Sequence, residues 1–185
     1  MTCSALARAV SRFRRASDGG VTVEAALVMP MLVAILVSTF VFHDLFSFRN
    51  VRQKATFTVA DMISRETDPV SATYLDTALT LFNTITFGET NNTLRVSLVS
   101  FEADTGRYGI DWSEVRGSAL APLTDADVAL AHDTLPTMTD EERLILVEST
   151  ATYRPPFNVG IGETEIVSRA FLRPRFAPQV LYSGS

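Results

Sequence analysis

The chain has 185 residues, which suggests one domain with an appendage rather than two full domains. Its net charge is −5, and the 12 basic and 20 acidic side chains beyond residue 19 form no basic patch, which argues against nucleic-acid binding. The sole cysteine, Cys3, excludes an intramolecular disulfide and disfavours a cysteine-based zinc or catalytic site.

The hydrophobic residues, 46% of the chain, are concentrated near the N-terminus. Residues 25–42 carry no charge, and Ser38 and Thr39 are their only polar members. As a helix this apolar run spans roughly 27 Å, close to the hydrocarbon thickness of a bilayer. The run is too long for a cleaved secretory signal, and no small-residue cleavage pattern follows it. We therefore predict a transmembrane helix.

The charges on the two flanks of the apolar run favour a cytoplasmic N-terminus by a small margin. Four arginines precede the run, and three basic residues follow it: Arg8, Arg12, Arg14 and Arg15, then Arg49, Arg52 and Lys54. The predicted parts are a basic leader peptide (1–19), a transmembrane helix (20–48) and a non-cytoplasmic α+β ectodomain (49–185).

One carboxylate, Glu24, lies at the start of the apolar run, in the sequence Gly-Gly-Val-Thr-Val-Glu-Ala-Ala-Leu-Val-Met-Pro of residues 19–30. A charge at the bilayer centre costs up to about 3 kcal/mol and less near the interface, so a plain uncleaved anchor leaves this residue unexplained. Gly19 has no side chain, which lets an extended backbone enter a peptidase cleft. Cleavage between Gly19 and Gly20 would make Glu24 the fifth residue of the product.

This arrangement resembles the precursors of type IV pilin-like proteins, and more narrowly the TadE-like minor pseudopilins of the Tad (Flp, tight adherence) pilus system. The matching residues are Arg14, Arg15, Gly19, Gly20, Glu24 and Pro30. The family usually has an aromatic residue after the glutamate, where this chain has Ala25. Residues 61–65, 153–155 and 172–175 resemble ectodomain features of the same proteins more weakly.

The resemblance implies that a prepilin peptidase processes the chain at Gly19 and Gly20, and that Glu24 pairs with the α-amine of a neighbouring subunit. It implies a structural role in initiating, priming or capping a Tad pilus. The implied partners are the peptidase, other Tad pilins and pseudopilins, the inner-membrane assembly platform and the lipid bilayer. The implied location is the bacterial inner membrane, in a single pass with a cytoplasmic N-terminus and a periplasmic C-terminal domain; whether the chain enters the pilus stays open.

The residues after the membrane predict two helices followed by strands. Five apolar residues share one face of a helical stem: Ala55, Val59, Ala60, Met62 and Ile63. Ser71 can cap a second helix, whose apolar stripe is Leu75, Ala78, Leu79, Phe82 and Ile85, and Gly88 can end it.

Four segments carry strand signals: 94–98, 108–114, 143–153 and 164–173. A short helix is predicted around 125–131, and the capping-box spacing of Thr139 and Glu142 predicts a helical turn before the third strand. Helices followed by strands predict an α+β fold, with a pilin-like ectodomain built on an antiparallel sheet of about four strands and helices on one face.

The residues that could support enzyme chemistry are few. His43 is interpreted as interfacial, and His132-Asp133 has no assignable nucleophile. Glu163 with Glu165, and the acidic run 140–142, are interpreted as solvated, and the glycines of 160–162 lack a nucleotide-loop context. The acidic region 125–142 lacks Ca²⁺-loop spacing. We therefore predict no catalytic residue, metal or cofactor. The rival to the pseudopilin is an unprocessed, membrane-tethered ectodomain that binds or hydrolyses a surface ligand.

Overall fold

The computed structural model describes residues 20–88, 92–129, 131 and 133–184. Its first element is helix α1, Gly20–Ser64, which is 45 residues long and contains Pro30 without ending there. By length and composition alone, α1 can cross a membrane. The predicted long apolar helix at the N-terminus is therefore confirmed. The predicted leader lies outside the described residues.

The chain divides into two compact units between His43 and Asp44. Residues 44–64 of α1 belong to the second unit, together with all the later elements. The predicted apolar face of the stem is confirmed, because four of its residues are fully buried and the fifth is partly buried: Ala55, Val59, Ala60 and Ile63, then Met62.

Helix α2, Ala72–Ile85, begins and ends where the sequence predicts. The Ser71 side chain accepts a hydrogen bond from the Tyr74 N–H at 3.2 Å and so caps the first turn. Gly88 adopts a φ of 73°, and its N–H donates to the Asn83 carbonyl at 2.6 Å, which closes the end of the helix. The buried residues of α2 are Leu75, Ala78 and Phe82.

Four antiparallel strands form one sheet in the order β2-β1-β3-β4. They are β1 (Thr93–Glu102), β2 (Arg107–Arg116), β3 (Arg143–Tyr153) and β4 (Thr164–Leu172). A short helix, α3 (Asp125–Val128), lies between β2 and β3, at the predicted place. The predicted α+β class and the four-stranded antiparallel sheet are confirmed.

The sheet is buried on both faces. On the first face, Leu94, Val96, Leu98, Ile145 and Val147 form one core with the buried residues of α1 and α2. On the second face, side chains of the strands form another core with three residues of the β2–β3 connection: Val99, Tyr108, Leu144 and Leu146 with Val128, Leu135 and Met138. The sequence predicts helices on one face; the second face is covered by this connection, which carries α3.

The helical turn predicted before β3 is absent, and residues 139–142 form a hydrogen-bonded turn instead. The Glu142 carboxylate accepts from the Thr139 N–H at 2.7 Å and from its hydroxyl at 3.0 Å, and the N–H bond lowers the pKa of Glu142. No helix follows, because β3 begins at Arg143, which pairs with Ser100 of β1.

Candidate functional site

The first unit presents a long apolar surface on α1. Val21, Leu27 and Leu36 are 79%, 73% and 70% exposed. Apolar area of this extent is stable only when lipid or other protein surfaces cover it. The N-terminal half of α1 is therefore the candidate site of membrane contact.

Glu24 is the only charged residue on α1 between Gly20 and His43, and its side chain is exposed. It follows Gly20, the first residue of the helix, by about one turn, or roughly 6 Å along the axis. A side chain at Gly20 would meet nothing within 4 Å. Gly19 lies outside the described residues, so the structure describes only one side of the predicted scissile bond.

Residues 44–52 of α1, which follow the apolar run, contact the sheet of the second unit through aromatic and polar side chains. The Tyr153 hydroxyl donates to Asp44 Oδ2 at 2.8 Å, and burial, then Asp44, raises the pKa of Tyr153 to about 12. The Phe48 ring meets the Tyr153 ring edge-on at 5.1 Å. The Arg52 guanidinium lies 3.2 Å from the centre of the Phe48 ring.

Arg52 is therefore buried, whereas by sequence alone it counts among the basic residues that flank the apolar run. It is 2% exposed, whereas Arg49 and Lys54 are exposed. A cation buried in the protein contributes little at a membrane surface, so the basic flank after the apolar run is smaller than the sequence indicates. Sequence reasoning also missed Asp44, which no local pattern distinguishes from a solvated charge.

Two of the three downstream segments that carry the family resemblance touch each other. Arg175 donates to Asp61 Oδ1 at 2.9 Å from its guanidinium and to the Ser64 carbonyl at 2.8 Å from its backbone N–H. Asp61 also pairs with Arg65 at 2.9 Å. These contacts attach the segment after β4 to the last turn of α1, which gives both segments a structural role.

A buried carboxylate, Glu148, lies between two arginines on the second face of the sheet. Its side chain is 4% exposed; one oxygen accepts from Arg95 Nε at 2.7 Å and the other from Arg169 Nε at 2.9 Å. Arg95 also donates to the Ala121 carbonyl at 2.7 Å. The cluster thus joins β1, β3, β4 and the β2–β3 connection, and sequence patterns alone did not reveal it.

An open groove of about 710 Å³ lies beside the β1–β2 hairpin. Two of its acidic side chains accept hydrogen bonds from nearby backbone: Asp125 from the Ile110 N–H at 2.7 Å and Asp140 from the Ala103 N–H at 2.8 Å. Within the described ranges, no group of three or more His, Cys, Asp or Glu side chains is arranged to hold a metal.

The other residues weighed for catalysis are scattered. His43 is exposed on α1, and His132 lies outside the described residues. Glu163 pairs with Arg154 at 3.1 Å, and Glu165 lines a separate groove beside Arg49. The structure does not bring these residues together.

No protein-family model, curated protein or solved structure matches this chain. The functional assignment accordingly depends on the geometry above and on the resemblance of residues 12–42.

Proposed function

We propose that this chain is a TadE-like minor pseudopilin, cleaved by a prepilin peptidase between Gly19 and Gly20 and then used in the assembly of a Tad pilus. Its role is structural: it initiates, primes or caps the fibre. The observation that carries the proposal is the exposed apolar surface of α1, interrupted by the single carboxylate of Glu24 one turn after Gly20.

The charge of Glu24 supplies the physical argument. Cleavage before Gly20 would create an α-amine whose positive charge is opposite to that of the carboxylate. Opposite charges attract strongly in a medium of low dielectric constant. A carboxylate at the membrane boundary therefore gains a partner when the amine of a second subunit docks beside it. That gain favours assembly over the isolated state.

The partners follow from the same proposal. The prepilin peptidase cleaves the precursor, and the inner-membrane assembly platform and other Tad pilins or pseudopilins receive the product. The bilayer holds α1 before assembly. In this proposal the chain crosses the bacterial inner membrane once, with its N-terminus cytoplasmic and its sheet domain periplasmic, within the pilus or beside its base.

The test is the fate of the Gly19–Gly20 bond. We expect intact-mass analysis of the protein from its native host to show loss of residues 1–19. The matched control is a strain without an active prepilin peptidase, in which the full-length chain should persist. A full-length chain in both strains would contradict the proposal and favour the unprocessed, membrane-tethered ectodomain.

A further inference from the structure

The direction of β3 relative to residues 44–64 of α1 shows which end of the sheet lies beside Asp44, the first residue of the second unit. Thr56 and Ser149 share a hydrogen bond of 2.8 Å between their hydroxyls, and Tyr153 donates to Asp44 at 2.8 Å. Between these contacts α1 goes back 12 residues, about 18 Å, while β3 goes forward four residues, about 13 Å. Hence β3 is antiparallel to this part of α1 and ends beside Asp44.

Asp44 is the first charged residue after the apolar run 25–42. If α1 crosses a membrane, the bilayer therefore lies on the N-terminal side of Asp44. The loop that joins β3 to β4, residues 154–163, begins directly after Tyr153 and continues from that end of the sheet.

This β3–β4 loop has a charged neck and an uncharged tip. Arg154 and Glu163 pair at 3.1 Å and close the neck. The eight residues between them, Pro-Pro-Phe-Asn-Val-Gly-Ile-Gly, carry no charge, and Phe157 is 52% exposed. Phenylalanine is among the side chains with which surface-bound segments enter the boundary between the headgroups and the acyl chains.

The opposite end of the sheet is acidic, whereas the tip of the β3–β4 loop is uncharged. Ser100 of β1 pairs with Arg143 at the start of β3, so the β1–β2 hairpin lies at the end remote from Tyr153. This end carries Glu102 and Asp104, with Asp140 bonded to the Ala103 N–H. Within the second unit, the acidic end of the sheet is thus remote from Asp44, and the uncharged loop begins beside it.

We propose that the β3–β4 loop is a second membrane contact, whose tip, residues 155–162, enters the headgroup region of the bilayer. Unpaired backbone polar groups are not tolerated in the hydrocarbon core, so the loop stops at the interface. Arg154 then lies at the level of the lipid phosphates. The proposal depends on membrane crossing by α1 and not on processing or pilus assembly.

The test uses the full chain with Cys3→Ser, reconstituted alone in vesicles of phosphatidylethanolamine and phosphatidylglycerol. A nitroxide label is attached at Phe157→Cys, and the control labels are at Asp104→Cys on the acidic end and at Leu36→Cys in the apolar run. Collisions of each label with oxygen and with a water-soluble nickel chelate are measured. A label at Pro156→Cys repeats the measurement without replacing Phe157.

We expect the ratio of oxygen to chelate collisions at residues 157 and 156 to exceed that at residue 104 at least about threefold, because oxygen enters apolar lipid and the chelate stays in water. Equal ratios would overturn the proposal, as would a label shielded from both reagents by protein. If Leu36→Cys is open to the chelate, α1 does not cross the bilayer and the proposal fails with it. Failure at residue 157 alone leaves cleavage at Gly19 unaffected.

Discussion

At the scale of single residues, the contrast between Glu24 and Glu148 shows how the surroundings of a carboxylate decide its role. Glu148 has both oxygens bonded to arginines inside the second unit. Glu24 is exposed on an apolar helix. The first carboxylate stabilises the fold, and we infer that the second is retained for a partner outside the chain.

We expect Glu24→Ala to impair assembly without impairing folding or insertion. The substitution makes α1 more apolar, so insertion should be at least as good. Removing one partner of a buried ion pair costs about 3–5 kcal/mol, which lowers association more than about a hundredfold. Piliation and surface adherence of a strain with only this variant measure the effect. Thr22→Ala, on the same part of α1, is the matched control, and wild-type piliation by Glu24→Ala would exclude the pairing mechanism.

Glu148→Ala should lower the free energy of unfolding by about 3 kcal/mol, because it leaves the buried guanidinium of Arg95 without its counter-charge. Arg169→Ala removes the half-exposed partner of the same carboxylate and should cost less than about 1 kcal/mol. Urea unfolding of a fragment of residues 44–185 gives both values. Equal losses of stability for the two variants would contradict the buried pair of Glu148 and Arg95 as the stronger contact of the cluster.

At the scale of elements, α1 performs two tasks with one continuous helix. Its N-terminal half is apolar and exposed, while residues 55–63 supply four fully buried side chains to the core of the second unit. The structural division falls between His43 and Asp44, before the end of the predicted transmembrane helix at residue 48.

A fragment that begins at Asp44 should therefore be more stable than one that begins at Asn50. The shorter fragment lacks the acceptor of the Tyr153 hydroxyl and the Phe48 ring, a loss of about 2 kcal/mol. Urea unfolding of the two fragments measures the difference. Asp44→Ala in the longer fragment isolates the hydrogen bond and should cost about 1 kcal/mol. Identical urea midpoints of unfolding for the two fragments would mean that the contacts of Tyr153 with Asp44 and Phe48 do not stabilise the domain.

At the scale of the whole molecule, the sheet domain has the features of an independent folding unit. It has a core on each face of the sheet, and its cores draw on residues from α1 to Val180, near the C-terminus. The chain's one cysteine, Cys3, lies ahead of the apolar run, so this domain contains no disulfide.

We therefore expect the fragment of residues 44–185 to be a folded α+β monomer without metal. Its circular dichroism spectrum and sedimentation should be the same with and without a chelator. A chelator-induced collapse of the spectrum would reveal a metal site that the described residues do not show.

Local signals in the sequence located the helices and the strands, although the capping-box spacing of Thr139 and Glu142 wrongly predicted a helical turn. The length of the apolar run, the cap at Ser71, the glycine at residue 88 and the alternation of Leu94, Val96 and Leu98 each act over a few residues, and the structure has each element at the predicted place. The motif at Gly19, Gly20 and Glu24 is local in the same sense, and the function drawn from it stays a prediction.

Only the tertiary structure decided what covers the second face of the sheet. In β1 the apolar residues Leu94, Val96 and Leu98 alternate with Arg95 and Ser97, yet Ser97 is fully buried and the Arg95 side chain is only 13% exposed. A period of two distinguishes the faces of a strand but does not tell which distant segment packs on each. The same limit applies to Asp44 and Tyr153, which are 109 residues apart in the chain and meet only when β3 packs beside α1.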